Sequence, residues 1–230
     1  MKQLALELAS PPAPTLDNFV VGANAEVVAA LRALARGDSR ERFIYLWGGD
    51  GSGRTHLLRA VLHTLMQAGR SVRVFGAADT LETVTASDVV GVDDVHALPA
   101  PAQIELFNIF NRLKDGSGML LVTGNMPPAR LPLRADLLTR LAWGLVYEVH
   151  ALSEADRLAA LSDYAAARGF ELPRPVADYL LAHAPRDLHT LRTLVDSLDR
   201  LSLERKRDIT VPLARELLQP ADSAAGPKNG

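Results

Sequence analysis

The feature that most constrains this 230-residue chain is one short run, Gly48-Gly49-Asp50-Gly51-Ser52-Gly53-Arg54-Thr55. It follows the apolar segment Phe43-Ile44-Tyr45-Leu46-Trp47 and opens a helix-like stretch over residues 54–66. A glycine-rich turn between a buried strand and a helix lets consecutive backbone N–H groups face one anion, and the helix N-terminus adds favourable partial charge. The run therefore predicts a phosphate-binding loop, with Gly48, Gly51, Ser52, Gly53 and Arg54 around the phosphates and the Thr55 hydroxyl on a Mg²⁺ ion. One residue departs from the pattern: Arg54 stands where lysine is usual. A guanidinium keeps the charge, but its planar fork does not reach between phosphates as an ammonium does. The bland alternative is a simple Gly-rich turn, and the strand before it and helix after it weigh against that.

The rest of the chain alternates in the same way. Residues 72–75, 88–93, 119–123 and 145–149 are short apolar runs that read as buried strands. Between them, residues 101–113 read as a helix whose apolar face is Ile104, Phe107, Ile109, Phe110 and Leu113. Asn24 is placed to cap an earlier helix running to about Ala35. Strands alternating with helices imply parallel pairing and a three-layer α/β sandwich over residues 16–150. From residue 151 to 218 the pattern is helical only, which predicts a small all-α lid domain. Residues 10–15 are a proline-rich spacer that sets the first nine residues apart as a tail, and residues 219–230 read as disordered.

Composition narrows the functional classes. A net charge of −2 argues against a body that grips nucleic acid mainly by electrostatics. The absence of cysteine excludes disulfides and thiolate metal sites. No apolar run approaches the roughly 18–20 residues of a membrane helix, and the N-terminus lacks a secretory pattern, so the cytoplasm is expected.

A second chemical element is Val89-Val90-Gly91-Val92-Asp93-Asp94, an apolar strand ending in acids. After a phosphate-binding loop, Asp93 is expected to hold hydrated Mg²⁺ and Asp94 to orient an attacking water. Acids at a strand end also serve as plain turn formers. Asn125, after the next strand, is either a polar group near the terminal phosphate or a turn residue.

Two further segments carry a resemblance. Asn18-Phe19-Val20-Val21-Gly22-Ala23-Asn24 is similar to the adenine-side segment of the DnaA family of bacterial replication initiators. Ala135-Asp136-Leu137-Leu138-Thr139-Arg140-Leu141-Ala142-Trp143-Gly144 resembles the segment of that family that bears its arginine finger. The resemblance covers about residues 16–218, stops where DnaA continues into a DNA-binding domain, and is shorter between Phe75 and Val89. What remains looks like the Hda family, DnaA homologues that inactivate the initiator after replication begins. The tail Gln3-Leu4-Ala5-Leu6-Glu7-Leu8 matches the clamp-binding peptide of that family, with Gln3, Leu4, Leu6 and Leu8 as groove contacts. Such a tail also arises by chance, and its leucines could pack on their own domain.

The resemblance implies an AAA+ fold, adenine contacts from Phe19, Val20, Val21 and Gly22, and Arg140 as a cation offered to a neighbour's nucleotide. It implies ADP or ATP with Mg²⁺ as ligands, and the DNA polymerase III sliding clamp (beta subunit) and DnaA as partners. His189 falls where the family's lid arginine contacts phosphates, with Arg186 and Arg192 on either side. Given Arg54 and His189, strong intrinsic ATP turnover is not expected and retained ADP is the expected ligand. The rivals are an autonomous AAA+ ATPase such as a helicase loader, and an adaptor that uses nucleotide only structurally.

Overall fold

The computed structural model describes residues 13–81, 84–185 and 187–218. They fall into two compact units, Ala13–Leu152 and the helices from Ser153 onward. In chain order the first unit contains α1 (Ala25–Arg36), β1 (Phe43–Trp47), α2 (Arg54–Gln67), β2 (Val72–Phe75) and β3 (Val89–Val92). It continues with α3 (Ala100–Asp115), β4 (Met119–Gly124), α4 (Ala135–Leu141) and β5 (Leu145–Glu148).

All strand pairs are parallel, in the order β2-β3-β4-β1-β5. The central strands are apolar on both faces because both faces are covered. Ile44 and Leu46 of β1 pack with Leu57, Leu58 and Val61 of α2 and Val28 and Leu31 of α1. Phe43 and Tyr45, the alternate residues, pack on the other side with Leu106, Ile109 and Phe110 of α3 and Leu137 of α4. This is the three-layer α/β sandwich.

Three sequence expectations are corrected here. Ile104 does not belong to the buried face of α3; it is exposed, and Gln103, Leu106, Ile109, Phe110 and Leu113 form that face, with Phe107 half-buried at its margin. The helical repeat centred on Leu106, Phe110 and Leu113 turns residue 104 to the far side. Neither α4 nor the last helix, α8 (Val211–Leu218), stands out in the hydrophobic pattern, because each is too short to show a full period. Asn24 occupies the position before α1, but its side chain makes no cap hydrogen bond. Its amide instead spans the fold: Nδ2 donates to the His150 carbonyl at 2.9 Å, and the His150 N–H donates to Oδ1 at 2.7 Å. Only 1% exposed, Asn24 ties the entry of α1 to the chain leaving β5.

The second unit is α5 (Glu154–Ala167), α6 (Arg174–His183), α7 (Leu188–Arg205) and α8. Ser153 and Asp156 form a reciprocal capping box at the start of α5, and Asp187 caps α7 by accepting from the Thr190 N–H. Leu161, Val176, Leu180, Leu191, Val195, Leu198 and Leu213 make its core. Tyr164 of α5 bonds Asp196 of α7, and burial and that carboxylate push the phenol pKa up. No helix of the described residues is long and apolar enough to cross a membrane.

Replacing Asn24 by Ala removes both partners of the His150 backbone while leaving those groups enclosed. The expected loss is about 1–3 kcal/mol of unfolding free energy, the cost of stranding buried backbone groups. Urea denaturation should show a lower midpoint with an unchanged slope.

Candidate functional site

Because β1, β3 and β4 are neighbours and parallel, the loops that follow them open at one edge of the sheet, where ligands of open α/β sheets bind. The residues singled out in the sequence gather there.

The loop after β1 depends on glycine for two physical reasons. Gly51 and Gly53 have φ of 73° and 95°, the left-handed region that other residues rarely adopt. Gly48 and Gly53 also have no room for a side chain: a Cβ would lie 2.3 Å from the Val149 carbonyl oxygen and 2.7 Å from the Phe19 ring, respectively. The loop leads directly into α2, whose first N–H groups have no side-chain cap. Phe19 lies against the loop, tilted over His56 at 5.5 Å between ring centroids. Its segment is held by reciprocal bonds between Thr15 and Asn18 and by the Asn24 N–H donating to the Val21 carbonyl at 2.8 Å. Val20 and Val21 are half-buried and Gly22 makes the turn at φ 50°. The expected adenine-side segment and the expected phosphate loop are thus in contact.

The acids after β3 are organised by a residue that the sequence alone does not assign. Thr123, fully buried in β4, donates its hydroxyl to Asp93 Oδ1 at 2.6 Å and accepts the Asp94 N–H at 2.8 Å. Thr55 donates to the same Asp93 oxygen at 3.0 Å. A hydroxyl and a carboxylate so placed can share a hydrated Mg²⁺ whose other ligands are water and phosphate oxygens. Among the described residues no group of three or more His, Asp or Glu is arranged to hold a metal unaided. Asp94 adopts φ 54° and ψ 53°, an unusual conformation for a side-chain-bearing residue. A polar residue closing an apolar strand beside an acid pair is the available signal for Thr123.

Arg54, the first residue of α2, does not point freely into the loop. One terminal nitrogen donates to the carbonyls of Gly48 and Gly124. The other lies 3.7 Å from Asp50 Oδ1 and 3.6 Å from Asp94 Oδ1. Tyr45 sits beneath, donating to the Met126 carbonyl at 2.7 Å; burial pushes its pKa up, against the opposing influence of Arg54.

Several buried polar atoms at this edge have no hydrogen-bond partner: Ser52 Oγ, Asp94 Oδ1, His96 Nδ1 and Asn125 Oδ1. Folded proteins leave few such groups unpaired. Their convergence from the three loops, with a glycine cradle at a helix N-terminus, fits a polar, anionic ligand such as a nucleotide.

Arg140 lies apart from this cluster, on α4. The i,i+4 spacing allows a pair with Asp136, but Asp136 is taken by Arg134 at 2.8 Å, and that guanidinium holds the Asp136 carboxyl below its usual range. Arg140 instead lies over the Phe107 and Phe110 rings, at 5.3 and 5.5 Å. Its Nε is buried without a hydrogen-bond partner among the described residues. Trp143, exposed, stacks with Lys114 at 4.0 Å on the same helix pair. His189 is exposed near the start of α7, in the helical unit. Arg192, one turn on, is drawn over the Tyr164 ring at 5.3 Å, and burial lowers its pKa. Gln3, Leu4, Leu6, Leu8 and Arg186 lie outside the described residues.

Strand order, loop and acid pair together define an AAA+ module of the P-loop class, with a helical lid unit after it. Residues 12–81 and 70–148 match the family model of the bacterial DnaA ATPase domain, and residues 154–218 match that of the Hda lid domain. The chain belongs to the bacterial DnaA ATPase-domain family and carries a lid of the Hda type. Among solved structures it is similar to domain III of the replication initiation protein DnaA from Thermotoga maritima, at 23% identity and a TM-score of 0.75, covering 91% of this chain and 98% of that one. AMPPCP-bound DnaA from Aquifex aeolicus is 26% identical with a TM-score of 0.67, over 85% of this chain and 68% of that one. A point mutant of Thermotoga maritima RuvB shares the fold at 15% identity and a TM-score of 0.67, over 89% of this chain and 71% of that chain.

Thr123→Val keeps the shape of the site but removes the hydroxyl that joins Asp93 to the Asp94 N–H. A stability loss of about 1–3 kcal/mol is expected, because two enclosed groups each lose a partner. Thermal unfolding of the nucleotide-free protein measures it, and an unchanged melting temperature would show that water replaces the hydroxyl.

Proposed function

We propose that this protein is a negative regulator of chromosomal replication initiation that works with ADP bound, tethered to the sliding clamp, by stimulating hydrolysis of DnaA-bound ATP. Membership of the DnaA family and the Hda-type lid support the general setting. The observation that carries the finer reading is Arg140. A guanidinium lying on two aromatic rings, with its helical acid already taken by Arg134, is available to an anion outside the chain.

In this reading the loop of residues 48–55 takes the nucleotide phosphates, Phe19 to Gly22 border the base, and Thr55 and Asp93 hold Mg²⁺. That ion would supply charge neutralisation at the phosphates; Asp94 and Asn125 border them, and His189 belongs to the lid side. Gln3, Leu4, Leu6 and Leu8 fill a groove on the clamp, which brings the regulator to replicating DNA without a DNA-binding surface of its own. Arg140 meets the charge that develops on the phosphoryl group of DnaA-bound ATP, a role in which a permanently charged, multi-donor group is effective.

Arg140→Ala is expected to keep nucleotide and clamp binding and to lose nearly all stimulation of DnaA-bound ATP hydrolysis on DNA-loaded clamp. Fingers supplied to GTPases contribute about 10³–10⁵ in rate. Near-normal stimulation by the variant would leave Arg140 as a surface residue and remove the main support for a catalytic contribution in trans.

Replacing Gln3, Leu4 and Leu6 together by Ala is expected to abolish clamp association while the melting temperature stays close to that of the parent, as surface changes usually do. Clamp binding that survives means the principal contact lies elsewhere; unfolding means the tail is core.

A further inference from the structure

We infer that Arg54 sets how many phosphates the loop accepts, favouring a nucleoside diphosphate over a triphosphate. The inference rests on the reading of residues 48–55 as a nucleotide site and concerns this chain's own side chains in it. Arg54 is nine-tenths buried and its cation is already engaged by four oxygens from three loops. The Gly48 carbonyl follows β1, the Asp94 carboxylate follows β3 and the Gly124 carbonyl ends β4, while Asp50 belongs to the loop itself.

Only a planar fork can serve this set. Its two terminal nitrogens point in fixed, different directions, so one donates to two carbonyls while the other faces two carboxylates. Turning the guanidinium toward a ligand would strand both carbonyls and leave Asp94 Oδ1, which has no hydrogen-bond partner, without its nearest cation. The Gly124 carbonyl cannot follow, because β4 is closed there against Tyr45: a Cβ on Gly124 would lie 2.0 Å from the Tyr45 hydroxyl. The cation is therefore held by the protein.

The charge balance follows. Asp50, Asp93 and Asp94 surround the loop, with Arg54 as the cation facing Asp50 and Asp94. Each added negative charge on a ligand meets this acidic surround without a mobile ammonium to offset it. A diphosphate can be satisfied by backbone N–H groups at the α2 N-terminus, which are independent of the Arg54 side chain. The third phosphoryl group is what the arrangement discriminates against. A lysine at this position would carry its charge on a flexible stem and could turn to the ligand.

The test is calorimetric titration of the full chain, freed of nucleotide, with Mg-ADP and Mg-ATP, for wild type, Arg54→Lys and Asp50→Asn. Wild type is expected to bind ADP about tenfold or more tightly than ATP, the size of one charge-assisted contact. Arg54→Lys should narrow that ratio to within about threefold, chiefly by gaining ATP affinity. Asp50→Asn, at a fully exposed position, should narrow it in the same direction by removing a charge and one hold on the guanidinium. Equal wild-type affinities, or a ratio unchanged in both variants, would overturn the inference while leaving the site intact. Failure of wild type to bind either nucleotide would instead sink the reading of the loop on which it rests. If Arg54→Lys does not fold, Asp50→Asn decides alone: an unchanged ratio overturns the inference.

Discussion

Parallel registration of β1, β3 and β4 is the constraint from which the site follows. Leu46 pairs with Thr123, and Gly91 pairs with Leu121, so the three strands run out at one edge within a residue or two of each other. Their ends carry Gly48, Asp93 and Gly124, and the chain chemistry there is decided by that coincidence. Antiparallel pairing would send the loop and the acids to opposite edges. Parallel pairing in turn needs crossover helices on the faces, and these exist because both faces of the central strands are apolar.

Registration alone leaves three acids, a cation and several backbone carbonyls crowded together, and the structure resolves this with hydroxyls. Thr55 and Thr123 both donate to one oxygen of Asp93, which fixes that carboxylate without a salt bridge. Thr123 also receives the Asp94 N–H and so supports the left-handed turn that aims Asp94 toward Arg54. The loop ends are linked by neutral donors and one buried guanidinium. Removing any single link exposes the others to unbalanced charge.

Much of this is legible in the sequence because its signals are local. Apolar runs bounded by glycine and acids mark β1, β3 and β4, and a glycine run before a helix has few other physical uses. What escapes the sequence depends on partners far away in the chain. Asn24 has the pattern of a helix cap, but a buried donor and acceptor 126 residues distant outcompete its own helix. Ile104 has the pattern of core because the hydrophobic count along α3 exceeds the width of the face that is covered. Thr123 is only the tail of a strand until registration places it beside Asp93. The four contacts of Arg54 come from three loops, and no spacing rule reports them.

The two arginines show why composition does not settle function. Both lie on helices of the same sheet unit, and both carry the same charge. Arg54 is enclosed by acids and carbonyls, so its field is spent inside the molecule. Arg140 is laid on Phe107 and Phe110, and the carboxylate four residues earlier on its helix is held by Arg134, so its charge is not cancelled by that neighbour. Aromatic faces attract a cation yet carry no net charge, which fixes the guanidinium without neutralising it. A chain that neutralises the cation in its own loop and leaves one uncancelled on an adjacent helix is suited to acting on an anion held by a partner. That asymmetry supports the regulatory reading over autonomous turnover, and it resides in which carboxylates each guanidinium meets.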